Sequence, residues 1–436
     1  MGALLSSFIA NIQSALAATL SYDDARTTLH SVSDLRQAST AGVNRREYEA
    51  RAADSLGLPE VFVNATEVWG IKTGTISSPF GALDISQNFQ GPRSSINGTW
   101  DIYTGGRITA TQRALAAGTD AARAELTVTD EKLDVQLAQV YFGLEFAANI
   151  ERTRASILQD ADLQLARAVR FEQQGLIPKV ERLNAQVSRD TAERELVRSQ
   201  SDRKIAEARL QRLLRRDTAI EPATPLFVIT GGLKPLPHWL TVAEGNNPTL
   251  AAFDARREQA KQGIVIAESR WKPRIFAFGS YSFIKNYQTL IEPNWIAGIG
   301  INYTLFSRED RASQVGAARE ALRQVESLEQ ETRNEIDTAV ETSYRKVEQA
   351  REQFRLLEST LALARENLRL RQRGFDEGTA TSLDVNDARD ALARAETARA
   401  LAAYEFVVAL AQLLEASGRA SSLSDYVQQA DVRLRP

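Results

Sequence analysis

The chain carries one segment twice, about two hundred residues apart. Residues 171–185 and 375–388 each hold a glycine within a long helical pattern, followed six residues later by an acid. Aligning the two glycines gives a constant offset of 203 and pairs Gly175 with Gly378, Glu181 with Asp384 and Asn184 with Asp387. An internal duplication of this period covers most of the 436 residues. The chain is therefore predicted to consist of two copies of one structural unit.

Composition excludes several classes of function. The net charge of −3 gives no basic footprint for nucleic acid, so no nucleic-acid partner is expected. There is no cysteine for a disulfide or a thiolate metal site, and two histidines, His30 and His238, leave little for an imidazole site. Neither a glycine-rich phosphate loop after a strand nor a serine elbow occurs. We predict no catalytic residue, no cofactor, no metal site and no enzymatic activity.

The first twenty residues, 1–20, are interpreted as a candidate signal peptide or N-terminal segment. Leu4 to Leu20 is mildly apolar, and Ala15-Leu-Ala17 fits a small-residue cleavage site. No Lys or Arg precedes Arg26, so an ordinary N-terminal helix is the alternative. After this segment no run of eighteen apolar residues occurs, and no transmembrane helix is expected.

Both halves show the same order of elements: a helix, a pair of strands, a long helix, a tight turn and a returning helix. The first repeat is predicted over residues 21–217 and the second over residues 241–417. Between them, residues 218–240 hold four prolines and are predicted to form a connector without a helix. The C-terminal tail, residues 418–436, is polar and is expected to be irregular.

The strand pairs are recognised by alternation. In the second half, apolar residues alternate with small or polar residues along segments 274–284 and 295–306. The second segment thus has one apolar face and one face of small or polar residues. The first half matches with residues 61–71 and, less clearly, with residues 82–89 and 97–103. We therefore expect four strands per chain.

Two stretches are long enough for unusual helices. Residues 107–174 and 308–377 contain no proline, and at ~1.5 Å per residue each would span roughly 100 Å. Their apolar residues recur every seven positions, which predicts supercoiled packing against neighbouring helices. Ser307 followed by Asp310 predicts a capping box at the start of the second long helix.

Each long helix is predicted to end at the repeated glycine. Gly175 and Gly378 fit a C-terminal cap that reverses the chain, and Pro178 fits the first turn of the returning helix. The returning helices are predicted over residues 179–216 and 382–417. The repeated segment is thus the tip of a helical hairpin in each half.

The strands constrain the assembly. Four strands with one apolar face leave open edges, which lipid does not tolerate, and a transmembrane barrel needs about eight strands or more. A cyclic trimer would supply about twelve. The predicted fold class is mainly α with membrane β: a duplicated α-helical barrel of long coiled-coil hairpins, plus four strands per chain contributing to a trimeric 12-stranded β-barrel. The alternative is a periplasmic or cytoplasmic coiled-coil scaffold without a pore.

The residues resemble the TolC-like outer-membrane efflux proteins. The resemblance rests on the order of elements, the duplicated turn and three short segments: Asn246-Asn247-Pro248, Tyr103-Thr-Gly-Gly-Arg107 and Phe306-Ser-Arg-Glu-Asp310-Arg311. It covers about residues 20–417. The sequence departs from the family in two respects. It lacks a basic N-terminal region, and it lacks the cysteine that carries a lipid anchor in some members.

The resemblance implies a homotrimeric channel-tunnel located in the cell outer membrane, with its tunnel extending into the periplasm. Such a channel is a passive exit duct of a tripartite efflux or type I secretion system, gated at its helical tip. Its implied partners are a periplasmic adaptor (membrane fusion) protein, an inner-membrane pump of the resistance-nodulation-division or ABC type, and outer-membrane lipid. The sequence does not indicate the cargo, the pump class or the resting state.

Four residues are candidates for the periplasmic gate ring: Asp384, Asp387, Glu181 and Asn184. The spacing of Asp384 and Asp387 places both on one face at the start of a helix, where acids favour the helix dipole. Three copies meeting at the narrow end would form a ring that selects cations and responds to pH and divalent ions. The alternative is that these residues only stabilise the helix.

The remaining candidates are a docking surface and a membrane girdle. The adaptor-docking tip is predicted at Gly175, Leu176, Ile177, Pro178, Gly378, Thr379, Ala380 and Leu383; a plain helix–helix loop is the alternative. The girdle at the strand ends is predicted at Trp69, Trp100, Trp271 and Trp295, where aromatic side chains would meet lipid headgroups. Packing against nearby helices is the alternative for these tryptophans.

Overall fold

The computed structural model describes residues 18–285 and 293–434. Residues 1–17 of the predicted N-terminal segment, and the polar loop at residues 286–292, lie outside the described residues. The last part of the predicted segment, Ala18–Leu20, forms a short strand, β1, which pairs in parallel with β4 (Ile220–Pro222). These residues therefore belong to the folded protein.

The described chain is mainly helical. Its helices are α1 (Tyr22–Val32), α2 (Asp34–Asp54), α3 (Arg107–Gln173), α4 (Lys179–Leu214), α5 (Leu236–Asn246), α6 (Pro248–Ser269), α7 (Arg311–Asp376), α8 (Ser382–Ala416) and α9 (Leu423–Gln429). Its remaining strands are β2 (Glu60–Ser78), β3 (Gly81–Tyr103), β5 (Phe227–Val228), β6 (Arg274–Lys285), β7 (Trp295–Asn302) and β8 (Val432–Arg433). The predicted order of long helix, turn and returning helix occurs in both halves.

The chain divides into two compact units, each built from both halves of the sequence. One unit, here called the sheet unit, consists of Ala41–Arg123 and Ala252–Gln330. The other, the helical unit, contains residues up to Thr40, Ala124–Ala251 and the residues from Glu331 onward.

The sheet unit contains one antiparallel sheet with the order β2-β3-β6-β7. Strand β3 is continuous, so the prediction of two separate segments, 82–89 and 97–103, is wrong. Pro92 lies within it and pairs with Glu67 of β2, while pairing with β6 starts only at Arg93. A proline has no N–H for the ladder, and here β3 has a described neighbour on one side only, so the strand tolerates it.

The two faces of this sheet differ in chemistry. Residues that pair directly across strands share a face, and one face is apolar and exposed along its length: Val61, Val63, Ile96, Trp100, Tyr281, Trp295, Ile299 and Ile301. On the other face, Phe276 and Phe278 cover the glycines of β7, and a Cβ added to Gly300 would lie 2.6 Å from the Phe276 ring. The predicted alternation is confirmed, although the strand ends at Asn302 rather than at residue 306.

The helical unit holds an aromatic and alanine-rich core. Tyr22, Tyr141, Phe142 and Phe227 pack edge to face or stacked, with ring centroids 5.2 to 5.8 Å apart. The Tyr141 hydroxyl donates to the carbonyl of Leu20 at 2.6 Å, which ties β1 to this core. Helix α8 supplies much of the rest: Ala402, Ala403, Phe406, Val407, Leu410 and Leu414 are all buried. Alanine at these positions allows close approach of the helices.

Three local predictions differ from the structure. The predicted connector contains the start of α5, because Pro237 falls in the first turn, where the missing N–H costs nothing. The capping box of Ser307 and Asp310 is wrong, since Asp310 itself caps α7 by accepting from the N–H groups of Ala312 and Ser313. The tail is not irregular: α9 is followed by β8, which pairs with β5, and the Ala420 N–H donates to the buried Glu131 carboxylate at 2.6 Å.

One described helix, α8, is apolar and long enough to cross a bilayer by composition alone. Of its most apolar window, 56% is buried inside the structure. This burial is what the core helix of a packed unit shows, and it accounts for the apolar composition of α8.

Candidate functional site

The two duplicated turns have the same backbone. Gly175 and Gly378 both have φ of +73°, a left-handed conformation that favours glycine. In the first turn the N–H of Gly175 donates to the carbonyl of Glu172, and that of Leu176 to the carbonyl of Phe171. The same two bonds recur 203 residues later. Each long helix thus ends in a Schellman cap, as the glycines predict.

The two turns pack against each other through a small apolar cluster. Phe171 and Phe375 stack with ring centroids 5.9 Å apart. Phe375 is fully buried, whereas Phe171 and Ile177 are partly buried at the edge. The remaining members are Leu165, Ala168, Ala185, Leu368, Val385, Ala388 and Leu392. The predicted gate and docking residues therefore lie on two hairpins that form one packed tip.

Asp384 is engaged in capping its own helix. Thr381 precedes α8, and its hydroxyl accepts from the Asp384 N–H at 3.2 Å. The Asp384 carboxylate in turn accepts from the Thr381 N–H at 2.9 Å and lies 3.4 Å from Arg371. This is a reciprocal capping box. It is the arrangement that the helix-stabilising alternative requires.

Those contacts fix the charge of Asp384. The backbone N–H of Thr381 is the largest influence, followed by the Thr381 hydroxyl and Arg371, and together they hold the pKa of Asp384 below its usual range. The carboxylate accordingly stays ionised at any pH near neutrality. A pH response of the tip in that range must come from other groups.

Glu181, the duplicate of Asp384, contacts the other hairpin. Its carboxylate accepts from the N–H of Ser382 at 2.7 Å, the first residue of α8. Helix α4 begins after Pro178 without a side-chain cap. The carboxylate of the first turn therefore stabilises the helix start of the second, where its negative charge also favours the helix dipole.

Asn184 and Asp387 line one groove beside these caps. The groove has a volume of about 290 Å³ and lies between α3, α4 and α8. Asp387 is exposed and Asn184 is half-buried. The structure thus brings all four predicted gate residues to one end of the helical unit, as two capping residues and two groove residues.

The comparisons with known proteins come from both sequence and structure. Residues 239–419 match the family described as "Outer membrane efflux protein". Comparison with curated proteins gives no match. Among solved structures, CusC superposes with a TM-score of 0.78 at 14% identity, covering 91% of this chain and 92% of CusC. The outer membrane protein VceC of Vibrio cholerae gives 0.75 at 17% identity, covering 91% and 96%.

A third structure, the open state of the MtrE outer membrane channel of Neisseria gonorrhoeae, gives a TM-score of 0.70 at 17% identity, covering 92% of this chain and 89% of MtrE. The resemblance to the TolC-like outer-membrane efflux family is confirmed. The chain has the fold of these outer membrane channels, a mainly helical architecture with a few strands. The outer membrane efflux family consists of channels and not of enzymes. Among the described residues, no cluster of His, Asp and Glu could hold a metal ion.

The four predicted girdle tryptophans are exposed, but they lie at different levels of the sheet unit. Trp295 is in the same row of paired residues as Val63 of β2. Trp69 lies six residues beyond Val63 along β2, roughly 20 Å from that row. Trp100 is in the row of Ile299, on the other side of Trp295. Trp271 precedes β6. The four tryptophans of one chain therefore do not share one level of the sheet, and a role for each at a membrane interface stays a prediction.

The residues at the turns that were predicted to contact an adaptor differ in exposure. Leu176 and Leu383 are 66% and 57% exposed, and both glycines have open space where a Cβ would be. Ile177 and Ala380 are only partly exposed, since Ile177 packs on the apolar cluster. Pro178 and Thr379 are exposed as well. Among the predicted docking residues, the two leucines are thus the large apolar side chains that are available to another protein.

Sequence reasoning missed Arg389, which lines the groove of Asn184 and Asp387. Its side chain is 2% exposed, and it donates to the Ser188 hydroxyl at 3.4 Å and the Asp160 carbonyl at 3.4 Å. Burial lowers the pKa of this guanidinium. The signal was present in the sequence: an arginine directly follows Ala388 in the apolar stripe of α8, where a small or apolar residue is expected.

Proposed function

We propose that three copies of this chain assemble into a homotrimeric channel of the cell outer membrane. The sheet carries the proposal. Within the described residues, its edge strands β2 and β7 pair with no further strand, and its apolar face is exposed. Closing three such sheets into one barrel of about twelve strands removes the open edges and turns the apolar face to lipid.

The channel would be a passive exit duct from the periplasm or an inner-membrane pump to the exterior. Each repeat, residues 21–217 and 241–417, would contribute one strand pair to the barrel and one helical hairpin to a tunnel in the periplasm. The partners would be a periplasmic adaptor protein and a pump of the resistance-nodulation-division or ABC type, in tripartite efflux or type I secretion. Support comes from the efflux family match and from the exposed leucines at the tip.

Conductance tests the pore. We expect the purified protein to be a trimer in detergent and to give ion-conducting channels in planar bilayers. Ile299→Lys places a charge on the apolar face and should block insertion, because a charge at the bilayer midplane costs about 2 to 4 kcal/mol. The matched control is Asn64→Lys on the polar face. A monomer that dissolves without detergent and passes no current would support the coiled-coil scaffold instead.

We further propose that Asp384, Asp387, Glu181 and Asn184 form the gate when three tips meet. The double variant Asp384→Ala with Asp387→Ala should raise conductance and lower cation selectivity, because it removes six carboxylates from the trimer's narrow end. The control is Glu405→Ala, which changes an exposed acid further along the same helix and outside the groove. Unchanged conductance and selectivity would contradict a gate at this position.

We propose that the adaptor docks on the exposed leucines of the turns. The double variant Leu176→Ser with Leu383→Ser should lower export and adaptor cross-linking while trimers still insert. Leu363→Ser, which changes an exposed leucine on α7, is the matched control. Normal export by the double variant would show that docking occurs elsewhere.

A further inference from the structure

We propose that a pocket where the strands of the sheet unit meet its helices binds a phosphate-bearing anion. The pocket has a volume of about 410 Å³ and is lined by the first residues of α3, β6 and α7 and the last of α6. It lies wholly within the sheet unit, whereas the tip belongs to the helical unit. Neither the family match nor any motif described above assigns a ligand to it.

The pocket carries an excess of positive charge. Five cations line it: Arg107, Arg270, Lys272, Arg274 and Arg311. Two carboxylates accompany them, and each forms a close ion pair with one cation: Asp101 with Arg274 at 2.6 Å, and Glu309 with Arg270. Three cations remain beyond these pairs. Like charges gathered in one concave site attract an anion of opposite sign.

The three remaining cations have weak or neutral partners. Arg107 reaches Asp101 only at 4.0 Å, and that carboxylate is already bound closely by Arg274. Lys272 donates its Nζ to the carbonyl of Gly105 at 3.3 Å. Arg311 donates to the carbonyl of Thr304 at 2.5 Å and stacks on the Trp271 ring at 5.4 Å from its centroid. Carbonyls orient these side chains without neutralising them.

Arg311 supplies the strongest argument. The residue is 8% exposed, and within the described parts of the chain no carboxylate lies within 4.0 Å of it. A buried guanidinium without a counter-charge is costly. An anion in the adjoining pocket would offset that cost, and it would leave Arg107 and Lys272, at the rim, free to close on it.

The donor set fits phosphate. A guanidinium presents paired N–H donors that match two phosphate oxygens, and a lysine adds a point charge for a third. The hydroxyl and amide groups of Thr304, Ser307 and Asn302 line the same pocket. The anion could be the headgroup of an anionic phospholipid, a source that rests on the proposed outer-membrane function, or a soluble phosphate entering from the aqueous side.

Calorimetry on the full chain in neutral detergent tests the site. The probes are inorganic phosphate, short-chain phosphatidylglycerol and, as a zwitterionic control, short-chain phosphatidylcholine. The test variant is Arg107→Gln with Lys272→Met, which removes two charges while keeping the lysine stem that packs on Gly105. The control variant is Arg323→Gln with Lys261→Met, which removes two charges from exposed helix positions outside the pocket.

We expect phosphatidylglycerol, inorganic phosphate or both to bind, and the test variant to weaken binding about tenfold or more, with the control unchanged. If only phosphatidylglycerol binds, the anion is a lipid headgroup. If inorganic phosphate binds as well, the site is open to soluble anions. Binding of neither, or equal binding by the test variant, overturns the proposal. In that case the cations only stabilise the junction between the strands and the helices of the sheet unit.

Conductance of the same wild-type sample separates this inference from the proposed function. A preparation that conducts ions but binds neither probe overturns the anion site alone. A preparation that binds phosphate but never conducts overturns the pore and, with it, the lipid source.

Discussion

The two hairpin turns of this protein share a backbone and differ in how their side chains use it. Both end a long helix with a glycine at φ of +73° and the same pair of backbone hydrogen bonds. The second turn then begins its helix with a reciprocal cap between Thr381 and Asp384, whereas the first begins at Pro178 with no side-chain cap. Glu181 instead caps the helix of the other hairpin.

This difference shows how a duplication diverges. The backbone of the turn depends on one residue, the glycine, because only glycine occupies the left-handed region at little cost. The acid six residues later is not constrained in this way. In one copy it folds back on its own helix, and in the other it crosses to the neighbour, which makes the two hairpins one structure instead of two independent tips.

The largest difference between the turns should come from the stacked phenylalanines. Phe375→Ala removes a fully buried ring, and we expect it to lower the local free energy of unfolding by about 3 to 4 kcal/mol. Phe171→Ala removes a partly buried ring and should cost about half as much. Amide hydrogen exchange at residues 160–190 and 365–395 measures both. Equal losses would mean that the two turns contribute alike to the cluster.

The glycines should behave alike. Gly175→Ala and Gly378→Ala each force a side chain into the left-handed region, at about 1 to 2 kcal/mol of local stability. Gly316→Ala, in the exposed interior of α7, is the matched control and should stabilise its helix by up to about 1 kcal/mol. Hydrogen exchange in the same two segments reports the turn variants, and exchange at residues 311–325 reports the control. A turn that tolerates alanine would not have the cap described here.

The caps should behave differently. Thr381→Ala breaks the reciprocal cap and should destabilise the start of α8 by about 1 kcal/mol. Ser382→Ala, one residue later, removes a buried hydroxyl with no hydrogen-bond partner among the described residues, and should be neutral or slightly stabilising. The exchange rates of the first amides of α8 distinguish the two. A similar loss in both variants would show that Ser382 has a partner in the assembled protein.

The smallest effect concerns pH. Because the folded pKa of Asp384 is lowered, its stabilising contribution is present above the unfolded pKa of ~3.9 and is lost as the pH falls through the folded pKa. We expect the local stability of Asp384→Asn to differ from that of the wild type by a constant amount between about pH 5 and pH 8. Below about pH 4 the two local stabilities should converge. Hydrogen exchange across this range tests it. A wild-type response near neutrality that Asp384→Asn abolishes would contradict the assignment.

Much of the fold follows from the sequence because its signals are local. Period-two alternation marks β6 and β7, the seven-residue period marks α3 and α7, and the glycines mark the ends of the long helices. The errors arose where local rules compete with tertiary contacts. The prediction of two segments, 82–89 and 97–103, missed that β3 continues through Pro92 along its one described partner there. The prediction of an irregular tail missed that Ala420 and β8 have partners far away in sequence.

The candidate site likewise has features that follow from local sequence and features that only the tertiary structure shows. Spacing alone places Asp384 and Asp387 on one helix face, and it places Gly175 and Gly378 at chain reversals. Only the packed hairpins show that Glu181 contacts Ser382, and which three helices bury Arg389. The pocket of Arg107, Lys272 and Arg311 has no sequence signal, because its cations come from three separate elements.

The sequence by itself determined the duplication, the element types and the residues at which the long helices end, since each depends on periodicity or on one residue's backbone freedom. The tertiary structure decided which acid caps which helix, which arginines lose their contact with water and where cations collect. Those features depend on residues that lie far apart in the chain, and local pattern carries no information about which of them will meet.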